Sequence, residues 1–130
     1  MIFRKAAIAA IIAVFSLGAY GLNTADGITK RVRFAKGRSS VTLSNSVIRG
    51  DRDTYILGAK AGQRMTVRVT ALENNAAFQI ERPNGEYLQG AGEMDDATGI
   101  SRRLPESGDY RIVVGGTRGN VSYKLTISIR

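Results

Sequence analysis

The chain has no cysteine, no histidine and no tryptophan, and only two of its 130 residues are proline. Each absence removes a class of chemistry. Without cysteine there is no disulfide framework, no thiol nucleophile and no lipoprotein attachment site. Without histidine, the usual proton shuttle at neutral pH and the Ser-His-Asp arrangement are both missing. Zinc ligand sets built from cysteine and histidine are excluded with them. Acidic residues are also scarce, 11 against 19 basic ones, which leaves a formal charge of +8.

The few carboxylates do not rescue catalysis. A glycosidase needs two of them facing each other across a cleft, which neighbours in one loop rarely achieve. The densest group, Glu93-Met94-Asp95-Asp96, lacks the spacing of an EF-hand loop and reads as an exposed acidic loop, with calcium coordination the alternative. Gly90-Ala91-Gly92 has no third glycine and no βαβ context, so it is no nucleotide fingerprint. The sequence therefore predicts a protein that is not an enzyme and carries no metal or cofactor.

Apolar runs are scarce as well. The long one, Ala6 to Leu17, follows Arg4 and Lys5 and precedes the small residues of Ala19-Tyr20-Gly21. That order is a secretory signal, and the run is short for a membrane span, which needs about 20 apolar residues. Residues 1–21 are accordingly assigned to the signal and 22–130 to one domain, with no membrane span in the mature chain and a periplasmic or secreted location. Loss of Arg4 and Lys5 leaves a charge of +6. An anionic envelope polymer is a natural partner for such a charge. Nucleic acid is not expected, because the basic residues are scattered along alternating segments with no basic helix and no stacking-aromatic motif.

What the mature chain does have is period-two alternation. Met65, Val67, Val69 and Ala71 alternate with Thr66, Arg68 and Thr70. Tyr110, Ile112 and Val114 alternate with Arg111 and Val113, and Tyr123, Leu125, Ile127 and Ile129 with Lys124, Thr126 and Ser128. Shorter segments of the same kind are Lys30 to Phe34, Ser39 to Ile48, Thr54 to Lys60, Ala77 to Arg82, Glu86 to Leu88 and Ile100 to Leu104. Seven to nine short strands with turn residues between them predict an all-β fold, a single antiparallel β-sandwich of jelly-roll type.

Three turns carry polar residues. Asp51 and Asp53 are expected to hold their turn by bonding local backbone amides. In Ser107-Gly108-Asp109-Tyr110, serine and glycine make a turn and Tyr110 opens a closing hairpin as a core residue. The tip of that hairpin is Gly115-Gly116-Thr117-Arg118-Gly119-Asn120, where glycines permit positive φ and leave Arg118 unshielded. A guanidinium so presented can grip a carboxylate with two parallel hydrogen bonds.

From Val32 to Ile129 the chain resembles the bacterial inhibitors of g-type (goose-type) lysozyme. The resemblance lies in Phe34-Ala35-Lys36-Gly37-Arg38-Ser39-Ser40, Asp53-Thr54-Tyr55, Ala59-Lys60-Ala61-Gly62-Gln63, Leu104-Pro105-Glu106-Ser107-Gly108-Asp109-Tyr110, Thr117-Arg118 and Tyr123-Lys124-Leu125. Some of these pieces are shared with bacterial pre-peptidase C-terminal domains, so an envelope- or glycan-binding module without inhibitory activity is the alternative. The resemblance implies an exported β-sandwich whose loops at one end enter a g-type lysozyme and occlude its catalytic acid. It implies that Arg118 engages an active-site carboxylate, flanked by Thr117 and Asn120, and that Ser107 and Tyr110 form or support the adjacent loop.

Overall fold

The computed structural model describes residues 27–130, so the expected signal segment lies outside the described residues. They form eight strands: β1 (Thr29–Arg31), β2 (Ser40–Val47), β3 (Arg52–Ala59), β4 (Arg64–Ala71), β5 (Ala76–Glu81), β6 (Gly99–Arg103), β7 (Gly108–Gly116) and β8 (Val121–Ile129). Odd strands make one sheet in the order β1-β3-β7-β5, and even strands make the other in the order β2-β8-β4-β6. Every connection therefore crosses from one sheet to the other.

This alternation corrects one expectation. The two closing strands are not a hairpin: β7 pairs with β3 and β5, whereas β8 pairs with β2 and β4. Local pattern finds strands but cannot assign them to sheets, because pairing partners are distant in sequence. The pairings are antiparallel except one. β1 runs parallel to β3, with Thr29 opposite Thr54 and Arg31 opposite Ile56. The expected strand at Glu86 to Leu88 is reduced to a single bridge between Tyr87 and Glu81. Gly85 closes that turn at φ 91°, and its N–H bonds to the carbonyl of Arg82.

The core follows the alternation. Met65, Val67 and Val69 of β4 and Leu125 and Ile127 of β8 meet Tyr55, Leu57, Phe78, Ile80, Ile112 and Val114 from the facing sheet, all buried. Full burial of each such side chain contributes about 1.5–3 kcal/mol, against which no disulfide is needed in a domain of this size.

Two loop clusters result. Pairings of Arg52 with Gly115, Ala76 with Gly116, Val47 with Val121 and Ala71 with Tyr123 bring the β2–β3, β4–β5 and β7–β8 loops to one end. The β3–β4 and β6–β7 turns lie at the other, where Ala59 pairs with Gly108 and Arg64 with Arg103.

Candidate functional site

The β7–β8 loop, Thr117 to Asn120, is held by hydrogen bonds rather than by apolar packing. Asn75, only 4% exposed at the end of the β4–β5 loop, is its anchor. Its Nδ2 donates to the carbonyls of Arg118 and Asn120, both at 3.1 Å, and its own carbonyl accepts the Thr117 N–H at 2.8 Å. Glycine is required at two positions. Gly119 sits at φ 65°, and a Cβ on Gly116 would come within 2.8 Å of the Gly119 carbonyl. Gly115 and Gly116 themselves end β7 and do not use positive φ.

Two further bonds join this loop to its neighbours. Asn120 Oδ1 accepts the Arg49 N–H at 2.7 Å, which ties in the β2–β3 loop. Arg118 Nη2 donates to the Glu73 carbonyl at 2.9 Å, which ties in the β4–β5 loop. Arg118 is exposed and forms none of the ion pairs among the described residues. One of its five N–H donors is spent on the Glu73 carbonyl. Ile48 (67% exposed) directly follows β2, and Leu72 (102% exposed) directly follows β4. Both stand at the Arg118 end. A cation on braced loops, flanked by exposed aliphatic side chains, is suited to a protein surface that offers one carboxylate.

Beneath this end lies a second polar feature. Asp53 is 1% exposed, and its carboxylate accepts the Ile28 N–H at 2.9 Å, Asn45 Nδ2 at 2.8 Å and the Tyr123 hydroxyl at 2.6 Å. Tyr55 in turn donates to the Tyr123 hydroxyl oxygen. Burial raises both phenols above the ordinary tyrosine range, Tyr123 most strongly because its proton is also held by Asp53. Asp53 was expected to bond local amides, but its partners come from β2, β8 and the approach to β1. Alternation explains this: Asp53 points inward with Tyr55 and Leu57, so only partners inside the sandwich are within reach.

Ser107 and Tyr110 are not at this end. Ser107 precedes β7 and Tyr110 lies near its start, whereas Arg118 follows its end, and the nine residues of β7 span roughly 25–30 Å at about 3.4 Å per step. Ser107 Oγ accepts the Ala61 N–H at 2.9 Å and joins the β6–β7 and β3–β4 turns. Tyr110 is buried, and its hydroxyl donates to the Glu106 carbonyl at 2.6 Å. They form a structural turn lock at the far end, so the expected loop adjacent to Arg118 is instead supplied by residues 48–51 and 72–75. Asn75, Ile48 and Leu72 were missed in the sequence. The only local signal was the pair Asn74-Asn75, of which Asn74 takes φ 53°.

The acidic loop is exposed, with Met94 almost fully in solvent, and Asp95 Oδ2 accepts the Gly92 N–H at 2.7 Å. Among the described residues no cluster of three metal-ligating side chains forms, there or elsewhere.

Replacing Asn75 by alanine leaves two loop carbonyls without partners. We expect a loss of about 1–2 kcal/mol in urea unfolding, and protection of the loop amides from hydrogen exchange should fall with it. Unchanged exchange in the variant would mean that the loop is held by something else.

No family model matches the chain. It is 33% identical over 113 residues to the inhibitor of g-type lysozyme of Escherichia coli K12, spanning 78% of this chain and 77% of that relative. The crystal structure of Aeromonas hydrophila PliG, a periplasmic inhibitor of g-type lysozyme, superposes with a TM-score of 0.68 at 35% identity, covering 82% of this chain and all of that one. The pre-peptidase C-terminal domain of Bacillus anthracis collagenase shares the fold, with a TM-score of 0.58 at 17% identity over 83% of this chain and all of that domain. By sequence identity and coverage, the chain belongs to the family of inhibitors of g-type lysozyme.

Proposed function

We propose that this protein is exported to the periplasm or beyond, binds a g-type lysozyme and blocks its active site, and thereby protects peptidoglycan without catalysing a reaction. The observation that carries the reading is the Arg118 end. Three loops are cross-linked by hydrogen bonds into one surface, with a guanidinium at its tip that pairs with no carboxylate among the described residues and exposed Ile48 and Leu72 at the same end.

The physics favours inhibition over loose association. A loop already ordered before binding loses little conformational entropy on docking, so more of the contact energy appears as affinity. Arg118 enters the lysozyme groove and pairs with an active-site carboxylate, while Thr117, Asn120, Ile48 and Leu72 exclude water around that pair. Ser107 and Tyr110 belong to the scaffold in this reading.

The test is a lytic assay on peptidoglycan with purified lysozymes of different types. The protein is expected to suppress g-type activity at a near-stoichiometric ratio and to leave c-type activity largely intact. Undiminished g-type lysis at a large excess of the protein would sink the proposal.

A further inference from the structure

The outer face of the even-stranded sheet carries a second binding feature, remote from the Arg118 loops. Its outward positions are filled by serine and threonine, interrupted by exposed Arg64, Arg68, Arg103, Lys124 and Arg130. No aspartate or glutamate lies among the outward positions of β2, β4, β6 or β8. The opposite sheet differs. There Arg31 pairs with Asp109 at 2.6 Å, and Glu81 stands opposite Arg111.

Three of the cations stand side by side. Arg64 is in register with Arg103 of β6, and it exchanges backbone hydrogen bonds with Arg130 at 2.8 and 3.0 Å. Directly opposed residues on one face have Cβ atoms about 4.5–5.5 Å apart, and like charges at that spacing are destabilising. Their guanidinium groups donate to neutral oxygens: Ser101 Oγ for Arg64, the Gly62 carbonyl for Arg103 and Ser128 Oγ for Arg130. The three ion pairs among the described residues all lie elsewhere. An arginine row whose side chains form no ion pair among the described residues is matched by a polymer that presents repeated anions.

We propose that this face binds peptidoglycan, whose stem peptides carry free carboxylates at intervals along the glycan, so that the inhibitor is held on the polymer that its target lysozyme cleaves. The choice of polymer rests on the location proposed above. The face itself favours a glycan over a bilayer, because its outward positions hold no large apolar side chain to insert among lipid tails. Guanidinium forks match carboxylates, and the hydroxyl rows offer donors and acceptors to sugar hydroxyls. With no aromatic on the face for a sugar ring to stack against, binding is mainly electrostatic and therefore salt-sensitive.

Co-sedimentation with purified, lysozyme-free peptidoglycan sacculi tests this separately from inhibition. The wild-type protein should sediment at about 50 mM salt, with at least about tenfold weaker binding at about 500 mM. The double variant Arg64→Gln/Arg103→Gln should lose at least about fivefold in binding while inhibiting soluble lysozyme as wild type does. Its unfolding temperature should equal or exceed that of wild type, since a repulsive row has been relieved. Lys124→Gln should weaken sedimentation less, and Arg118→Ala should not change it. Sedimentation unaffected by salt or by the double variant overturns the proposal. So does binding to anionic phospholipid vesicles in place of sacculi, which would assign the face to membrane phosphates.

Discussion

Replacing Arg118 by alanine should weaken inhibition of g-type lysozyme about thirtyfold, the equivalent of about 2 kcal/mol. The size follows from the position of the side chain. Arg118 is exposed, is held by one bond to the Glu73 carbonyl, and pairs with no carboxylate among the described residues. A partner that buries it gains a charge-assisted, two-pronged hydrogen bond in a desolvated setting. Removing it then leaves the lysozyme carboxylate sealed off and unpaired, which is why the loss exceeds that of an ordinary surface contact. Arg118→Lys keeps the charge but not the fork, so its inhibition constant should fall between those of wild type and alanine. Urea unfolding of the alanine variant should stay within about 0.5 kcal/mol of wild type, because little of the folded state depends on this side chain. Inhibition constants measured by titration separate the two effects. An alanine variant that inhibits as well as wild type would move the binding surface away from this loop.

The strands were legible because their cause is local. Alternation such as Met65-Thr66-Val67-Arg68-Val69 forces one face inward, and β4, β7 and β8 appear where the pattern places them. Their partition between sheets was not legible. β7 and β8 look like a hairpin because a short glycine-bearing loop joins them, yet that loop crosses the sandwich. The separation of Ser107 from Arg118 has a different cause. They are near in sequence, but an extended strand carries them to opposite ends. Arg118 was legible as a cation between glycines. Asn75 was not, because its role depends on a carboxamide reaching a loop more than 40 residues away. Nor could the sequence foretell the arginine row, which forms only when β4 lies between β6 and β8 and brings Arg64 between Arg103 and Arg130.

Asp53→Ala should be strongly destabilising, at about 2–4 kcal/mol in urea unfolding. Alanine strands the Ile28 N–H and Asn45 Nδ2 and leaves the Tyr123 hydroxyl with only Tyr55 to turn to. Each stranded donor costs about 1–3 kcal/mol, and relaxation toward water at the Ile28 side recovers part of the total. A small domain holds only about 5–15 kcal/mol of net stability, so the variant should be near the edge of folding at physiological temperature. Asn45→Ala removes one donor and leaves two bonds to the carboxylate, so it should cost about 1 kcal/mol. The phenols add a signature in pH. Their folded-state pKa values are raised, so the stability they contribute is complete below the ordinary tyrosine value of 10.0 and is lost as pH climbs above it. Tyr123→Phe removes that hydroxyl, so its unfolding curve should depend less on alkaline pH than the wild-type curve does. Because Asp53 joins β3 to β2 and β8 just beneath the Arg118 loops, inhibition by the alanine variant should fall even at temperatures where most molecules remain folded. An Asp53→Ala protein within about 1 kcal/mol of wild type would mean that packing alone, not the carboxylate, holds the two sheets in register at this end.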